Sequence, residues 1–174
     1  MVGKKALFLD RDGVINRRLP GYVTHPDELD VFPFVREAIH FFKEKFDLVF
    51  IVTNQQGIGK KLMTEADLHT VHEKMLSVID PQRTLIDAVF FCPHLESENC
   101  TCRKPAQGMA MQAKKLFPDI NFDESLMVGD SVSDIDFGKN LGMQTVALAG
   151  LDYQRADFFA GDLREAALLW NTKT

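Results

Sequence analysis

Short apolar runs alternate along this chain with longer stretches whose apolar positions recur every three or four residues, the pattern of buried strands separated by amphipathic helices. Ala6 to Leu9 is the first run, and it stops at Asp10-Arg11-Asp12-Gly13. Beyond Pro33, residues Val35, Ala38, Ile39 and Phe42 share one face of an expected helix. A second buried strand follows over Leu48 to Val52 and ends at Thr53-Asn54. Thr64 is suited to cap a helix whose inward face carries Leu68, Val71, Met75, Leu76 and Ile79, and Pro81 ends it. A third strand, Ala88 to Phe91, runs into Cys92. A helix from about Gly108 to Phe117, a strand Leu126 to Val128, a helix from about Ser133 to Leu141 and a strand Thr145 to Leu148 continue the alternation. After Gly150 the pattern weakens, leaving Phe158-Phe159 as a short strand and Leu163 to Trp170 as a closing helix.

This alternation predicts an α/β fold with a doubly wound parallel sheet of Rossmann type, built as one domain over residues 1–174, with no internal repeat and no interdomain linker. Right-handed crossovers bring the C-terminal ends of parallel strands to one edge of the sheet, where open α/β sheets bind their ligands. Asp10, Thr53, Cys92 and Asp130 should therefore gather on that edge.

Composition narrows the partners. The 174 residues are 45% hydrophobic and 26% charged, with a formal net charge of −5 and the two signs interleaved. Such a surface offers no polybasic patch for nucleic acid or an anionic membrane, so a small molecule is the expected partner. The apolar run after Lys4-Lys5 is too short for a signal-peptide core or a membrane span, which points to a cytoplasmic protein. The fourteen phenylalanines fall mostly at core positions, and His69 and His72 read as part of a solvated helix face.

The candidate chemistry begins at Asp10. In extended chain, residues i and i+2 point the same way, so Asp10 and Asp12 face one pocket while Arg11 faces elsewhere, and Gly13 permits a sharp turn. A carboxylate attacking a phosphate dianion meets like-charge repulsion and needs a cation beside it, for which Mg²⁺ with oxygen ligands is suited. Asp130 can supply a further ligand, and Asp12 is placed for proton transfer to the leaving oxygen and from water. Thr53-Asn54 and Lys104 offer a hydroxyl, an amide, backbone N–H groups and a point charge to the transferring phosphate.

The four motifs Asp10-Arg11-Asp12-Gly13-Val14-Ile15, Thr53-Asn54, Lys104 and Gly129-Asp130-Ser131-x-x-Asp134 resemble the signatures of haloacid-dehalogenase-type phosphatases over nearly the whole chain. That resemblance implies Asp10 as nucleophile, Asp12 as acid and base, and Thr53 and Lys104 as phosphate binders. It further implies Mg²⁺ on Asp10, the Asp12 backbone carbonyl and Asp130, with Asp134 supporting the metal from behind. The large insertions of capped members are missing after Asp12 and after Thr53.

Cys92-Pro93-His94, five residues, then Cys100-Thr101-Cys102 offers four ligands suited to a closed tetrahedral Zn²⁺ site in an exposed loop. With no open position this metal is expected to be structural, pinning the loop that leads into Arg103-Lys104. Such a loop resembles those of two related phosphatase groups, which act on heptose bisphosphate and on histidinol phosphate. Arg17 to Pro33 and Arg103-Lys104-Pro105-x-x-Gly108-Met109 look closer to the heptose group, whereas the five-residue gap in the loop matches the histidinol group. A bisphosphate keeps a second anionic group, and Arg103, Lys60 and Asn54 are the substrate contacts expected, Arg103 foremost. Lys60, Lys61, Arg17 and Arg18 read equally well as solvated surface cations. D-glycero-D-manno-heptose 1,7-bisphosphate is thus the expected substrate and histidinol phosphate the alternative. A phospho-accepting receiver domain, an idle zinc-stabilised module and a nucleic-acid 3′-phosphatase rank lower: a receiver carries its aspartate after strand three, every expected catalytic residue is present, and no basic groove is evident.

Overall fold

The computed structural model describes residues 3–171. Six parallel strands form one sheet: β1 (Ala6–Leu9), β2 (Leu48–Asn54), β3 (Ala88–Cys92), β4 (Leu126–Gly129), β5 (Gln144–Ala147) and β6 (Phe158–Phe159), in the order β3-β2-β1-β4-β5-β6. Every residue of β1 is buried, as a central strand covered on both faces must be. Its alternate side chains point to opposite sides. Leu7 and Leu9 enter one core with α1 (Val35–Lys43), α5 (Leu163–Asn171) and the Met75 and Ile79 end of α2 (Glu65–Ile79). Ala6 and Phe8 enter the other with α3 (Gly108–Leu116) and with Phe137 of α4 (Val132–Asn140). Helices thus cover both faces, which is the doubly wound arrangement that the apolar runs imply.

The order places β2 on one side of β1 and β4 on the other. The chain therefore reverses its winding direction beside β1, and the crevice between the ends of β1 and β4 is the switch point where such sheets bind ligands. Between β1 and α1 there is only loop and a short 3-10 helix over Pro26–Glu28, and no cap interrupts the core there.

Most elements lie within one or two residues of their expected bounds. β2 runs on through Thr53 and Asn54 because the ladder to β3 continues, with Thr53 opposite Phe91 and Asn54 opposite Cys92. Thr64 caps α2 as expected: its hydroxyl accepts from Asp67 N at 3.1 Å, and Asp67 accepts from Thr64 N at 2.8 Å. One reading of that helix is corrected. His72 is 5% exposed and belongs to the buried face, in register with Leu68, Met75 and Ile79, while Leu76 is only partly buried; His69 stays exposed. No helix among the described residues is long and apolar enough to cross a membrane.

Candidate active site

Asp10 leaves the end of β1 with its backbone N–H bonded to Val128 O at 3.1 Å, so the central strand and β4 fix its position. Its carboxylate is met by Lys104, which is 3% exposed and whose Nζ lies 2.8 Å from Asp10 Oδ1, 2.6 Å from Asp134 Oδ1 and 2.7 Å from Val52 O. Burial and the neighbouring Asp134 push Asp10 up to about 7, against the opposing pull of Lys104. Burial would lower the Lys104 ammonium, but Asp10 and Asp134 outweigh it and hold it above its ordinary value. Lys104 is in turn aimed by Asn54, whose Oδ1 accepts from Lys104 N at 2.9 Å and whose Nδ2 donates to Lys104 O at 3.2 Å.

Asp12 follows on the same side of the chain. Its carboxylate accepts from Arg11 at 2.9 Å, from Asn16 Nδ2 at 3.0 Å and from Gln55 Nε2 at 3.0 Å. Burial alone would raise it, but Arg11 and these donors outweigh that and hold it below the ordinary carboxylate range. Arg11 does not simply face elsewhere: it is 1% exposed and turns back onto Asp12, with its second amino nitrogen 3.3 Å from His72 Nε2. Burial, then the Arg11 charge, bring His72 down to about 3, so its neutral ring accepts from Arg11.

Two glycines let these groups approach. Gly13 has φ +90°, and a Cβ there would run into the Asp130 carboxylate. A Cβ at Gly129 would collide with Asp134, which closes the capping box of α4 by accepting from Ser131 Oγ at 2.6 Å and Ser131 N at 3.1 Å. Asp10, Asp130 and Asp134 consequently bring carboxylate oxygens within 4.8 Å of one another. That is a hard-oxygen donor set of the kind Mg²⁺ takes.

The cavity beside these groups has a volume of about 240 Å³ and is walled by Thr53, Asn54, Arg103, Arg18, Tyr22 and Gln56 in addition to Asp10, Asp12 and Asp134. Thr53 Oγ1 accepts from Gln55 Nε2 at 2.8 Å, which leaves its own hydrogen to donate into the cavity. Arg103 keeps a buried guanidinium nitrogen without a protein partner. Lys60 differs from expectation. It is exposed and does not line the cavity; its Nζ lies 5.3 Å from the centroid of the Tyr22 ring, and it is this ring that forms the wall.

The Cys/His loop lies directly beside this site. Cys92 Sγ, His94 Nδ1, Cys100 Sγ and Cys102 Sγ all fall within 4.8 Å of one another, and Cys100 Sγ is 3.5 Å from both other sulfurs. Cys102 Sγ stands closer to Cys92 Sγ, at 2.9 Å, and to His94 Nδ1, at 3.1 Å. A tetrahedral Zn²⁺ with thiolate ligands sets its sulfurs roughly 3.8 Å apart, so the three thiols and the imidazole are the donor types of that ion, drawn in more tightly than it would hold them. Burial would raise the Cys100 thiol, yet the Arg103 amide and the adjacent thiols bring it down to about 7; burial pushes Cys92 well up. The loop is tied to the end of β2 through Gln55 N to Cys92 O at 2.7 Å and Gly59 N to Pro93 O at 2.9 Å.

Sequence reasoning passed over Gln55, Asn16, Arg11 as a partner of Asp12, and Arg18 as a lining residue. Gln55 was within reach of the i, i+2 rule applied to Asp10 and Asp12, since it follows Thr53 by two.

A model for HAD-hydrolase-like proteins matches residues 101–166. The D-glycero-alpha-D-manno-heptose-1,7-bisphosphate 7-phosphatase of Campylobacter jejuni is 38% identical over 155 residues, covering 89% of this chain and 88% of that protein. The D-glycero-beta-D-manno-heptose-1,7-bisphosphate 7-phosphatase of Rhodopseudomonas palustris is 35% identical over 156 residues and covers 86% of each chain. The crystal structure of D,D-heptose 1,7-bisphosphate phosphatase from B. bronchiseptica, complexed with magnesium and phosphate, superposes with a TM-score of 0.86 at 28% identity, covering 98% of this chain and 99% of that one. This chain belongs to the haloacid-dehalogenase (HAD) family of phosphatases.

Proposed function

We propose that this chain removes the 7-phosphate of D-glycero-D-manno-heptose 1,7-bisphosphate, leaving the 1-phosphate, through an aspartyl-phosphate on Asp10. The observation that carries the chemistry is the buried Lys104 shared between Asp10 and Asp134, with Asp12 two residues further along on the same side. Heptose 1,7-bisphosphate rather than histidinol phosphate is supported by the relatives of C. jejuni and R. palustris, both named for it.

In the first step an Asp10 oxygen attacks phosphorus and the bond to the sugar oxygen breaks. Asp12 gives that oxygen its proton, and a bound phosphate anion favours the protonated acid by pushing Asp12 up. In the second step ionised Asp12 takes a proton from water, which attacks phosphorus and frees phosphate and Asp10. The donors from Arg11, Asn16 and Gln55 keep Asp12 ionised for that half. Lys104 Nζ and Thr53 Oγ1 meet the charge that spreads over the transferring oxygens, and Arg103 binds phosphate from the cavity wall. Asn54 acts through Lys104, whose backbone it holds, and the place of Lys60 is behind Tyr22. Asp10, the Asp12 carbonyl and Asp130 would hold Mg²⁺, which when bound would supply the positive charge that an anionic nucleophile needs beside a phosphate and that favours ionised Asp10. Asp134 supports that set through Lys104 and Ser131. Zn²⁺ on Cys92, His94, Cys100 and Cys102 has a structural part, fixing the segment that carries Arg103 and Lys104.

The chain works as one catalytic unit over residues 1–174, and cysteines free of disulfides suit the reducing cytoplasm. The test is phosphate release with Mg²⁺, comparing the heptose bisphosphate with histidinol phosphate by kcat/KM. A preference for the heptose of at least about 10²-fold is expected; equal or reversed values contradict the substrate assignment.

A further inference from the structure

Arg18 lies on the oxygens that the reading above gives to Mg²⁺. Its guanidinium donates to Asp130 Oδ1 at 2.6 Å and to the Asp12 backbone carbonyl at 3.2 Å. The side chain is 55% exposed and lines the cavity at its open side. Its neighbour Arg17 is fastened outward: Arg17 Nε pairs with Asp30 at 2.8 Å, Arg17 N bonds Asp30 O at 2.9 Å, Asn16 Nδ2 holds Arg17 O at 2.9 Å, and the Arg17 guanidinium stands 5.1 Å from the Phe32 ring centroid. The backbone beside Arg18 is therefore a fixed pivot, and only the long side chain is free to change its partner.

A divalent ion needs both oxygens at roughly 2.0–2.1 Å in near-octahedral geometry, which leaves no room for a guanidinium nitrogen on the same atoms and sets two cations against each other. The doubly charged ion has the stronger hold on a carboxylate, and a half-exposed arginine pair is weakly held. Once displaced, the guanidinium remains tethered to the cavity that Arg103 also lines. There its planar guanidinium can meet two phosphate oxygens in a paired fashion that a lysine cannot match.

We propose that Arg18 is a specificity residue for the non-reacting phosphate of a bisphosphate substrate, in competition with Mg²⁺ for Asp130 and the Asp12 carbonyl. The proposal rests on the Mg²⁺ and bisphosphate readings of the site. It ties the two ligands together: the ion that prepares the site for chemistry also releases the cation that recognises the rest of the substrate.

The experiment compares wild type with Arg18→Gln in two arms, after circular dichroism has shown equal folding. Calorimetric titration with Mg²⁺ alone should give a dissociation constant about two- to five-fold lower in the variant, the range that loss of a half-exposed ion pair allows. In the kinetic arm, KM for heptose 1,7-bisphosphate should rise by about tenfold or more, the scale of losing a charge-assisted hydrogen bond, with KM for p-nitrophenyl phosphate unchanged. Unchanged or weaker Mg²⁺ binding in the variant overturns the competition, and so does an absence of Mg²⁺ binding in both proteins. A KM that rises equally for both substrates, or for neither, overturns the specificity role. If wild type hydrolyses p-nitrophenyl phosphate but not the heptose bisphosphate, the substrate reading has failed; the comparison is then made with fructose 1,6-bisphosphate, where equal KM values in the two proteins overturn the proposal and a selective rise upholds it.

Discussion

Asp10, Asp12, Thr53, Lys104 and Asp130 were legible from the sequence because each stands where an apolar run stops or a loop resumes, and because i, i+2 spacing assigns two carboxylates to one side. The groups that tune them were not. Arg11 meets His72 across 61 positions of sequence, and Gln55 reaches Asp12 across 43. Such pairs are made by tertiary packing, and a buried polar residue looks like any other until its partner is placed. His72 carries a pH consequence. The folded state holds it neutral down to about 3, whereas in the unfolded chain it takes up a proton near its ordinary value of 6.5. Between those values the unfolded state binds more protons, so stability falls as pH drops from about 6.5 towards 3, by on the order of 5 kcal/mol from this residue. Denaturant melts of wild type and His72→Gln, which keeps an acceptor for Arg11, should diverge in slope over that window. Parallel curves would refute the burial account. Gly13→Ala forces a side chain into a φ of +90° and against Asp130. Strain of about 1–3 kcal/mol and a fall in kcat of roughly 10²-fold are expected from melts and kinetics on the same preparation.

Helix faces and strand cores follow from periodicity, and the Thr64 capping box follows from side-chain chemistry, so these elements appear where the pattern puts them. Their ends were less legible: β2 is longer than its apolar run because β3 goes on offering it ladder partners. The Cys/His loop shows the opposite case, in which four residues, three Cys and one His, within eleven positions announce a cluster that backbone pattern alone would leave as irregular chain. Because this loop is bonded to the end of β2 and leads straight into Lys104, losing the Zn²⁺ proposed for it should be felt in catalysis. Cys100→Ser is expected to cost on the order of 4 kcal/mol of stability, as loss of a structural metal does. Metal analysis should show one Zn²⁺ fewer per chain, with kcat falling alongside. A variant that keeps full zinc and full stability would rule out the structural role.

The order of the strands was beyond the sequence, since periodicity says which segments are buried and not which are neighbours. That order nonetheless explains why a catalytic site exists here at all. The chain winds outward from β1 on one side and then on the other, and the crevice left between β1 and β4 collects Asp10, Asp130 and Asp134 at the edge of the sheet. No capping insertion separates β1 from α1, so the cavity is walled by the end of β2, the start of α4 and the loops between core elements, which fits a small phosphorylated sugar. The aspartyl-phosphate mechanism requires that Asp10 become phosphorylated. An acyl phosphate is reduced by borohydride to the alcohol while a free carboxylate is not, so enzyme turning over heptose 1,7-bisphosphate with Mg²⁺ can be trapped with borohydride and its peptides read by mass spectrometry. Homoserine in place of Asp10, seen only when substrate is present, is the predicted result. An intact Asp10 in enzyme that is releasing phosphate, with another residue reduced or none, would contradict the mechanism.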